Sequence, residues 1–110
     1  MNSKAKGGRG EREWAGFCRS HGFTEARRGQ QFAGGFDSPD VLGLPGIHQE
    51  VKRVEKLNIH EAMKQAIRDS EGKAFPIVAH RRNREEWLVT MRADDWMEIY
   101  KAWQKKDFIG

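Results

Sequence analysis

Cysteine, long apolar runs and familiar catalytic motifs are scarce in this sequence of 110 residues. The single cysteine, Cys18, cannot form an internal disulfide, which fits a reducing cytoplasm. No run of about 18 apolar residues occurs, so we expect no membrane-spanning helix. No basic stretch followed by apolar residues opens the chain, so we also expect no signal segment. Nucleotide-binding loops and Ser-His-Asp or Cys-His patterns are missing, so we expect no small-molecule cofactor.

The positive charge of the chain is concentrated near its beginning. The net charge is +4, and the sequence pI is about 9.5. Residues 1–31 hold seven Lys or Arg and three Glu, whereas basic and acidic residues balance over residues 32–110. This surplus favours a polyanionic partner. An ordinary surface with excess lysine explains the charge equally well.

The pattern along the chain predicts one small α/β domain. Residues 1–9 are polar and rich in Lys and Gly, so we predict a flexible basic tail followed by a single domain over residues 10–110. The predicted order is helix, three strands, helix, two strands, helix. We expect the five strands to form one central mixed sheet that helices flank.

Periodicity and capping residues place these elements. Strands are predicted over residues 23–28, 38–42, 47–54, 75–81 and 86–91. Helices are predicted over residues 10–21, over 59 to about 70 and from Asp94 or Asp95 onward. Asn58 and Glu61 form a capping box before the second helix. The last helix carries Trp96, Tyr100 and Trp103 on one face, which is typical of a core or a dimer interface.

The motif Glu50-Val51-Lys52 is the most informative part of the sequence. In a strand, Glu50 and Lys52 project from one face about 7 Å apart, and Val51 can pack into a core on the other. Leu44-Pro45-Gly46 predicts a turn that brings Asp40, on the preceding strand, next to them. Two carboxylates beside a lysine can hold a hard divalent cation next to a positive charge.

Phosphodiester hydrolysis needs this combination of groups. Mg²⁺ prefers oxygen ligands, and a bound ion polarises a phosphate and lowers the pKa of its water. Lys52 can orient the attacking water or stabilise charge on the phosphorane oxygens. Glu11, at the start of the first helix, can add a third acid. Alternatively, Glu-Val-Lys is a common solvent-facing pattern in strands, and Pro39-Asp40 can simply begin a turn.

Several segments together resemble the archaeal-type Holliday junction resolvases of the PD-(D/E)xK nuclease superfamily. The segment KGGRGEREWAGFCRSHGF, Lys6 to Phe23, is similar to their opening helix. Pro39-Asp40 and Glu50-Val51-Lys52 resemble the superfamily signature, and residues 76–78 and 87–89 resemble the last sheet strands. The resemblance covers about residues 6–91. It implies a restriction-endonuclease-like fold, and the departures at Gln30-Gln31 and after residue 91 point to a phage or prophage relative.

The resemblance also implies roles for individual residues. It makes Glu11, Asp40, Glu50 and Lys52 the catalytic residues, with Mg²⁺ as the cofactor and Mn²⁺ as its substitute. The implied metal ligands are the side chains of Asp40, Glu50 and Glu11 and the backbone carbonyl of Val51. Glu13 and Asp37 are weaker candidates. We interpret Glu13 as a residue of the helix turn and prefer Asp40 to Asp37, because Pro39 and Val41 place Asp40 on a strand.

Basic and polar residues outside this group are candidates for phosphate contacts. We expect DNA binding by Lys6, Arg9, Arg27, Arg28, Gln30, Arg81, Arg82 and Arg84. The alternative is that these are ordinary solvated side chains. His48 and His80 look too isolated in the sequence to predict a zinc site.

These observations lead to one main hypothesis and two alternatives. The main one is a homodimeric, Mg²⁺-dependent endodeoxyribonuclease that cuts branched DNA such as four-way junctions, in the cytoplasm of a bacterial or phage-infected cell. Its homodimer is implied by the resemblance and agrees with a two-fold symmetric substrate. The alternatives are a nuclease of restriction, repair or transposition type and a non-catalytic DNA-binding protein.

Overall fold

Three helices and five strands make up the part of the chain that the structure describes. The structure is a computed structural model that describes residues 3–29 and 40–109, with the side chains of residues 8–29 and 40–106. In chain order the elements are α1 (Ser3–Ser20), β1 (Arg27–Arg28), β2 (Val41–Leu42), β3 (Ile47–Arg53), α2 (Ile59–Ser70), β4 (Phe75–Arg81), β5 (Leu88–Met91) and α3 (Ala93–Ile109). This order confirms the prediction from the sequence.

The strands form one mixed sheet in the order β1-β2-β3-β4-β5. Strands β3 and β4 are parallel, with Glu50 opposite Val78, and α2 is the crossover between them. The other three pairs are antiparallel. The predicted central mixed sheet of five strands is therefore confirmed. The parallel strands β3 and β4 each have a neighbouring strand on both sides, so their backbone groups can pair in both directions.

Helices α1 and α2 cover opposite faces of this sheet, and each contributes to its own apolar cluster. One cluster joins α1 to the sheet through Trp14, Ala15, Cys18, Ala26, Val41, Val51 and Ala79. The other joins α2 to β4 through Ala62, Ala66 and Val78. Because side chains alternate along β3, Val51 faces α1 as predicted, and Glu50 faces α2. Burial also raises the pKa of the Cys18 thiol, as expected for a packing residue and not for a nucleophile.

Helix α1 begins earlier than the sequence predicted. Residues 3–9 are helical, whereas we expected residues 1–9 to form a flexible tail; residues 1 and 2 lie outside the described part. Glycine-rich composition suggested the tail, but packing accounts for Gly8, where a Cβ would lie 3.0 Å from the central carbon of the Arg28 guanidinium, and for Gly10, the first residue of the predicted helix. A Cβ on Gly10 would lie 2.6 Å from the Cβ of Arg53, so only glycine lets α1 approach β3 this closely. The proposed division into a tail and one domain stays a prediction.

The second helix follows its predicted boundaries closely. The Asn58 side chain accepts a hydrogen bond of 3.1 Å from the N–H of Glu61, which confirms this part of the capping box. The helix ends at Ser70, followed by Glu71 at φ 52°. Strands β1, β2 and β5 are shorter than predicted, since among the described residues the strands cover Arg27–Arg28, Val41–Leu42 and Leu88–Met91; residues 38 and 39 lie outside that part. The loop predicted over residues 29–37 lies mostly outside the described residues.

Helix α3 begins at Ala93, so Asp94 and Asp95 lie in its first turn and do not cap it. Its apolar side chains do not form a core. Trp96, Tyr100 and Trp103 are all exposed, and their rings contact one another along the helix, with Trp96 stacked on Tyr100 at 5.3 Å between centroids. Within residues 3–29 and 40–109, no helix combines the length and the apolar character needed to cross a membrane.

Candidate metal centre and its surroundings

Three acidic residues predicted from the sequence, Glu11, Asp40 and Glu50, lie close together. Asp40 directly precedes β2, and its backbone N–H donates a hydrogen bond of 2.9 Å to the carbonyl of Gln49 in β3. Its Oδ2 accepts a bond of 2.8 Å from the N–H of Val51. The antiparallel pairing of β2 with β3 therefore holds the Asp40 carboxylate beside Glu50.

The pKa of Asp40 reflects the negative charge of this group. Burial, and then the charge of Glu50, raise that pKa from 3.8 to about 7, and the charge of Glu11 acts in the same direction. The hydrogen bond from the Val51 N–H opposes the shift because it stabilises the carboxylate. Asp40 therefore interacts with both other acids. A cation placed among the three would relieve their mutual repulsion.

Glu11 reaches the group from α1 and is held by Arg28. Its carboxylate is buried, and its Oε1 accepts a hydrogen bond of 2.5 Å from the Arg28 Nε. Gly8, nearly one turn earlier, lies against the same guanidinium, and a Cβ there would be 3.0 Å from its central carbon. Arg28 thus forms an ion pair with an acid of the group, while its predicted phosphate contact stays a prediction.

Lys52 projects from the same face of β3 as Glu50, as the strand pattern predicted. Its Nζ donates a hydrogen bond of 3.3 Å to the Oε1 of Gln65 in α2. Gln65 therefore fixes the ammonium at the boundary between β3 and α2. The ammonium remains half-buried there, next to an open groove.

This groove, with a volume of about 440 Å³, lies between the end of β3 and the beginning of α2. Lys52, Lys56 and Arg68 supply positive charge to its lining. Sequence reasoning missed Lys56 and Arg68. The helical spacing of Gln65 and Arg68, which puts both on one side of α2, could have pointed to Arg68. That spacing is informative only once Lys52 is known to contact this helix.

A second set of ligating groups surrounds Glu50 on the α2 side. The His48 Nε2 lies 3.2 Å from the Glu50 Oε1, and Asp69 of α2 completes a group whose ligand atoms all lie within 4.8 Å of one another. The sequence-based view of His48 as isolated is therefore wrong. The strand alternation that placed Glu50 and Lys52 on one face also places His48 there, and only the packing of α2 brings Asp69. His80 instead contacts Thr90 at 2.9 Å.

Glu13 lies outside the acid group and has a structural role. Its Oε1 accepts hydrogen bonds from Arg53 at 3.1 Å and from Arg81 at 3.2 Å. Since these arginines lie on β3 and β4, Glu13 ties α1 to the central strands. Glu13 lies in α1 as predicted, and its exclusion from the metal ligands stays a prediction. Arg81, predicted to contact DNA, is engaged in an ion pair with Glu13.

The other predicted DNA contacts fall into two sets. Arg9, Arg27, Arg82 and Arg84 are exposed, so their side chains are accessible to a phosphate backbone. Arg27 donates to the carbonyl of Glu25 at 3.1 Å. The side chain of Lys6 and residue Gln30 lie outside the described part, so their DNA contacts stay predictions; Pro39 and Asp37, the weaker candidate acid, lie outside it as well.

Comparison with known proteins supports the same family resemblance as the sequence motifs. No protein-family model matches the chain, and comparison with curated proteins gives no match. Among solved structures, the chain is similar to Hjc of Archaeoglobus fulgidus, a Holliday junction resolvase from an archaeal hyperthermophile. The two are 27% identical with a TM-score of 0.57, and the match covers 78% of this chain and 72% of Hjc. The resemblance seen in the sequence is therefore confirmed: the chain is similar to the resolvase Hjc and has a restriction-endonuclease-like fold.

Proposed function

We propose that this protein is a metal-dependent endodeoxyribonuclease that hydrolyses phosphodiester bonds in branched DNA, with Holliday junctions as the main substrate. The observation that carries the proposal is the meeting of Glu11, Asp40 and Glu50, with Lys52 on the same face of β3 as Glu50. A protein that only bound DNA would gain nothing from three acids near a phosphate, because they repel it. The similarity to Hjc supports branched DNA as the substrate class.

The residues fit Mg²⁺, with Mn²⁺ as a substitute. Asp40 and Glu50 would hold the ion through carboxylate oxygens, the hard ligands that Mg²⁺ prefers, with Glu11 and the carbonyl of Val51 as further ligands. When bound, the ion polarises the scissile phosphate and lowers the pKa of a coordinated water. This role requires Asp40 to be ionised, so protons and the metal ion compete for its carboxylate, whose pKa is raised to about 7 when no metal is bound.

Lys52 and the groove beside it complete the proposed site. The Lys52 ammonium would stabilise the negative charge that develops on the phosphate oxygens, and Gln65 would keep it oriented. Lys56 and Arg68 would hold the phosphates of the same strand along the groove. The exposed Arg9, Arg27, Arg82 and Arg84, together with Arg28 and Arg81, would contact the DNA arms.

The decisive experiment compares cleavage by the wild type with Asp40→Asn and Glu50→Gln. Both variants should lose cleavage while keeping their fold and most of their DNA affinity, because only metal ligation is removed. Glu86→Gln is a matched control, since Glu86 is exposed, and it should cut normally. Full activity in both site variants would refute the mechanism.

The choice of substrate tests the rest of the proposal. Four-way junction, flap, linear duplex and single strand are incubated with the protein and Mg²⁺, and the products are separated on denaturing gels. Symmetric cuts in the junction alone support a resolvase. Equal cutting of plain duplex points to an enzyme of restriction, repair or transposition type. Tight binding without cutting, unaffected by Asp40→Asn, points to a DNA-binding protein.

We also infer that the protein works as a homodimer. Two cuts at a two-fold symmetric junction need two active sites, and each chain supplies one. The exposed apolar side chains of α3 would provide a surface for the contact: Trp96, Met97, Ile99, Tyr100 and Trp103. A monomeric protein rarely leaves a run of contacting aromatic rings like that of Trp96, Tyr100 and Trp103 uncovered. A cytoplasmic location in a bacterial or phage-infected cell stays a prediction.

A further inference from the structure

The group formed by His48, Glu50 and Asp69 has a chemistry different from that of the neighbouring acids. His48 and Glu50 come from one face of β3, and Asp69 comes from the last turn of α2. His48 and Glu50 are both more than nine-tenths buried, whereas Asp69 is partly exposed at the mouth of the group. One imidazole and two carboxylates, supplied by two packed elements, are a ligand set that the Mg²⁺ site does not require.

We propose that His48, Glu50 and Asp69 bind a divalent transition-metal ion at a second position, on the α2 side of Glu50. An imidazole nitrogen is a good ligand for Zn²⁺ and Co²⁺ and is also accepted by Mn²⁺, whereas Mg²⁺ and Ca²⁺ prefer oxygen. A set of one nitrogen and two oxygens therefore selects this class of ion. Three protein ligands also leave coordination positions for water or a phosphate oxygen.

The distances suit such an ion after a small adjustment. Ligand atoms about 2.1 Å from one ion lie about 3 Å apart when they are neighbours in the coordination shell. His48 and Glu50 already satisfy this spacing at 3.2 Å. Asp69 needs the largest shift, because the atoms of the group are spread over up to 4.8 Å. Its ion pair with Arg68 is long, at 3.8 Å, and that arginine is largely exposed, so little holds Asp69 back.

Glu50 would then be shared between two cation positions, with Asp40 and Glu11 on one side and His48 and Asp69 on the other. A carboxylate can bridge in this way because it has two oxygens, each with accessible lone pairs. The inference goes beyond the proposed nuclease, since binding of the ion needs neither DNA nor cleavage. It explains why an imidazole is buried against a carboxylate of the candidate centre.

The test uses the full chain, stripped of metal with a chelator and titrated with Mn²⁺. Pulsed electron paramagnetic resonance should detect coupling of the bound Mn²⁺ to a ¹⁴N nucleus, the signature of a histidine ligand. His48→Ala should abolish this coupling and weaken Mn²⁺ binding at that position by at least about tenfold. His60→Ala is the matched control, because His60 is exposed on the same helix as Asp69, and it should keep the coupling.

Two further variants keep the test decisive. Asp69→Asn, which is less disruptive than removing a buried imidazole, should also weaken binding by about tenfold while preserving the circular dichroism spectrum. Asp40→Asn should lose cleavage but retain the nitrogen coupling, which separates failure of this inference from failure of the proposed function. Absence of nitrogen coupling in the wild type, or its persistence in His48→Ala, would overturn the proposal and leave His48 as a hydrogen-bonding partner of Glu50.

Discussion

Strand β3 and helix α3 reverse the usual distribution of polar and apolar residues. In β3, His48, Gln49 and Glu50 are almost fully buried. In α3, Trp96 and Trp103 are about half exposed, at 48% and 54%. Large apolar residues normally lie inside a domain and charged ones outside, so each region departs from that rule in the opposite direction.

The buried polar residues of β3 are all provided with partners. Gln49 accepts a hydrogen bond from the Trp14 indole and donates one to the carbonyl of Val41. Glu50 has His48 and the neighbouring Asp40. Among the described residues, no buried side-chain nitrogen or oxygen lacks a hydrogen-bond partner. Beside β3, however, three carboxylates meet, those of Glu11, Asp40 and Glu50, and their excess of negative charge is what points to a cation.

Helix α3 differs from β3 in that its polar groups are solvated and its described apolar side chains are exposed to solvent. In the described residues, the main packing contacts join α1 and α2 to the sheet, and α3 takes little part in them. Exposed aromatic side chains on one helix face cost free energy in water until another surface covers them. The two regions therefore depart from ordinary burial at the two places where we propose a function: a metal centre inside the domain and a dimer contact on its surface.

The strongest test of the β3 side is Lys52→Ala. If the ammonium stabilises charge in the transition state, its loss should lower kcat by roughly 10²- to 10³-fold. Lys56→Ala is the matched control, because Lys56 lines the same groove without lying next to the acids, and its effect should stay below about tenfold. Single-turnover cleavage of a junction measures both. Equal losses in the two variants would reduce Lys52 to a phosphate contact.

Stability offers the next largest effect, through Gln49→Ala. This change leaves a cavity and removes the partners of the Trp14 N–H and the Val41 carbonyl, so it should lower the free energy of unfolding by about 3 kcal/mol. Gln104→Ala, on the outer helix α3, should change it by less than about 0.5 kcal/mol. Urea denaturation followed by tryptophan fluorescence gives both values. A small effect at Gln49 would show that β3 tolerates unpaired groups.

The faces on which the β3 side chains lie were largely predictable, because the alternation of side chains along a strand depends only on neighbouring residues in the sequence. Glu50, Val51 and Lys52 took the faces that their spacing predicted, and the Leu44-Pro45-Gly46 turn brought Asp40 back to them. The partners of these residues were not predictable. Gln65 and Asp69 reach the site only through the packing of α2 on the sheet, which no local pattern encodes.

The ends of the elements were harder to predict for a related reason. Gly8 lowered the expected helicity of residues 3–9, but Gly8 and Gly10 permit close contact of α1 with Arg28 and Arg53. Packing therefore overrode propensity in α1. On α3, the spacing of Trp96, Tyr100 and Trp103 correctly predicted an apolar face, but the same spacing is expected for a core and for an interface.

A third prediction concerns the stability that the folded protein loses because the carboxylates of Glu11, Asp40 and Glu50 repel one another. The folded state raises the pKa of Asp40 to about 7, so the unfolded chain gives up this proton more easily. Stability of the metal-free protein should therefore fall as pH rises from about 4 to about 7 and then level off. Asp40→Asn removes the penalty and keeps an acceptor for the Val51 N–H. It should stabilise the protein by on the order of 2 kcal/mol at pH 8 and by little at pH 4.

Thermal unfolding of the chelated protein at the two pH values checks this prediction. Glu86→Gln removes an exposed acid and should leave both melting temperatures nearly unchanged. Excess Mg²⁺ should reverse the ranking, because the wild type gains stability from binding the ion and the Asp40→Asn variant gains less. A variant that is destabilised at pH 8 without metal would contradict the assignment of repulsion to this group.

The smallest effect is expected on the α3 side, where Trp103→Lys should act on association and hardly at all on folding. A charge in the middle of the apolar face should raise the dimer dissociation constant by roughly 10- to 100-fold, since a buried aromatic anchor is lost and a cation must be desolvated. The monomer should keep its stability within about 0.5 kcal/mol, because the side chain is exposed in it. Sedimentation equilibrium measures the dimer dissociation constant, and denaturation in dilute solution measures the stability of the monomer.

Phe23→Lys is the control for this prediction, because it alters an equally exposed aromatic residue near the end of α1 and should leave the dimer intact. If Trp103→Lys changed stability but not association, the apolar face would belong to intramolecular packing, and the contrast between β3 and α3 would lose its functional meaning.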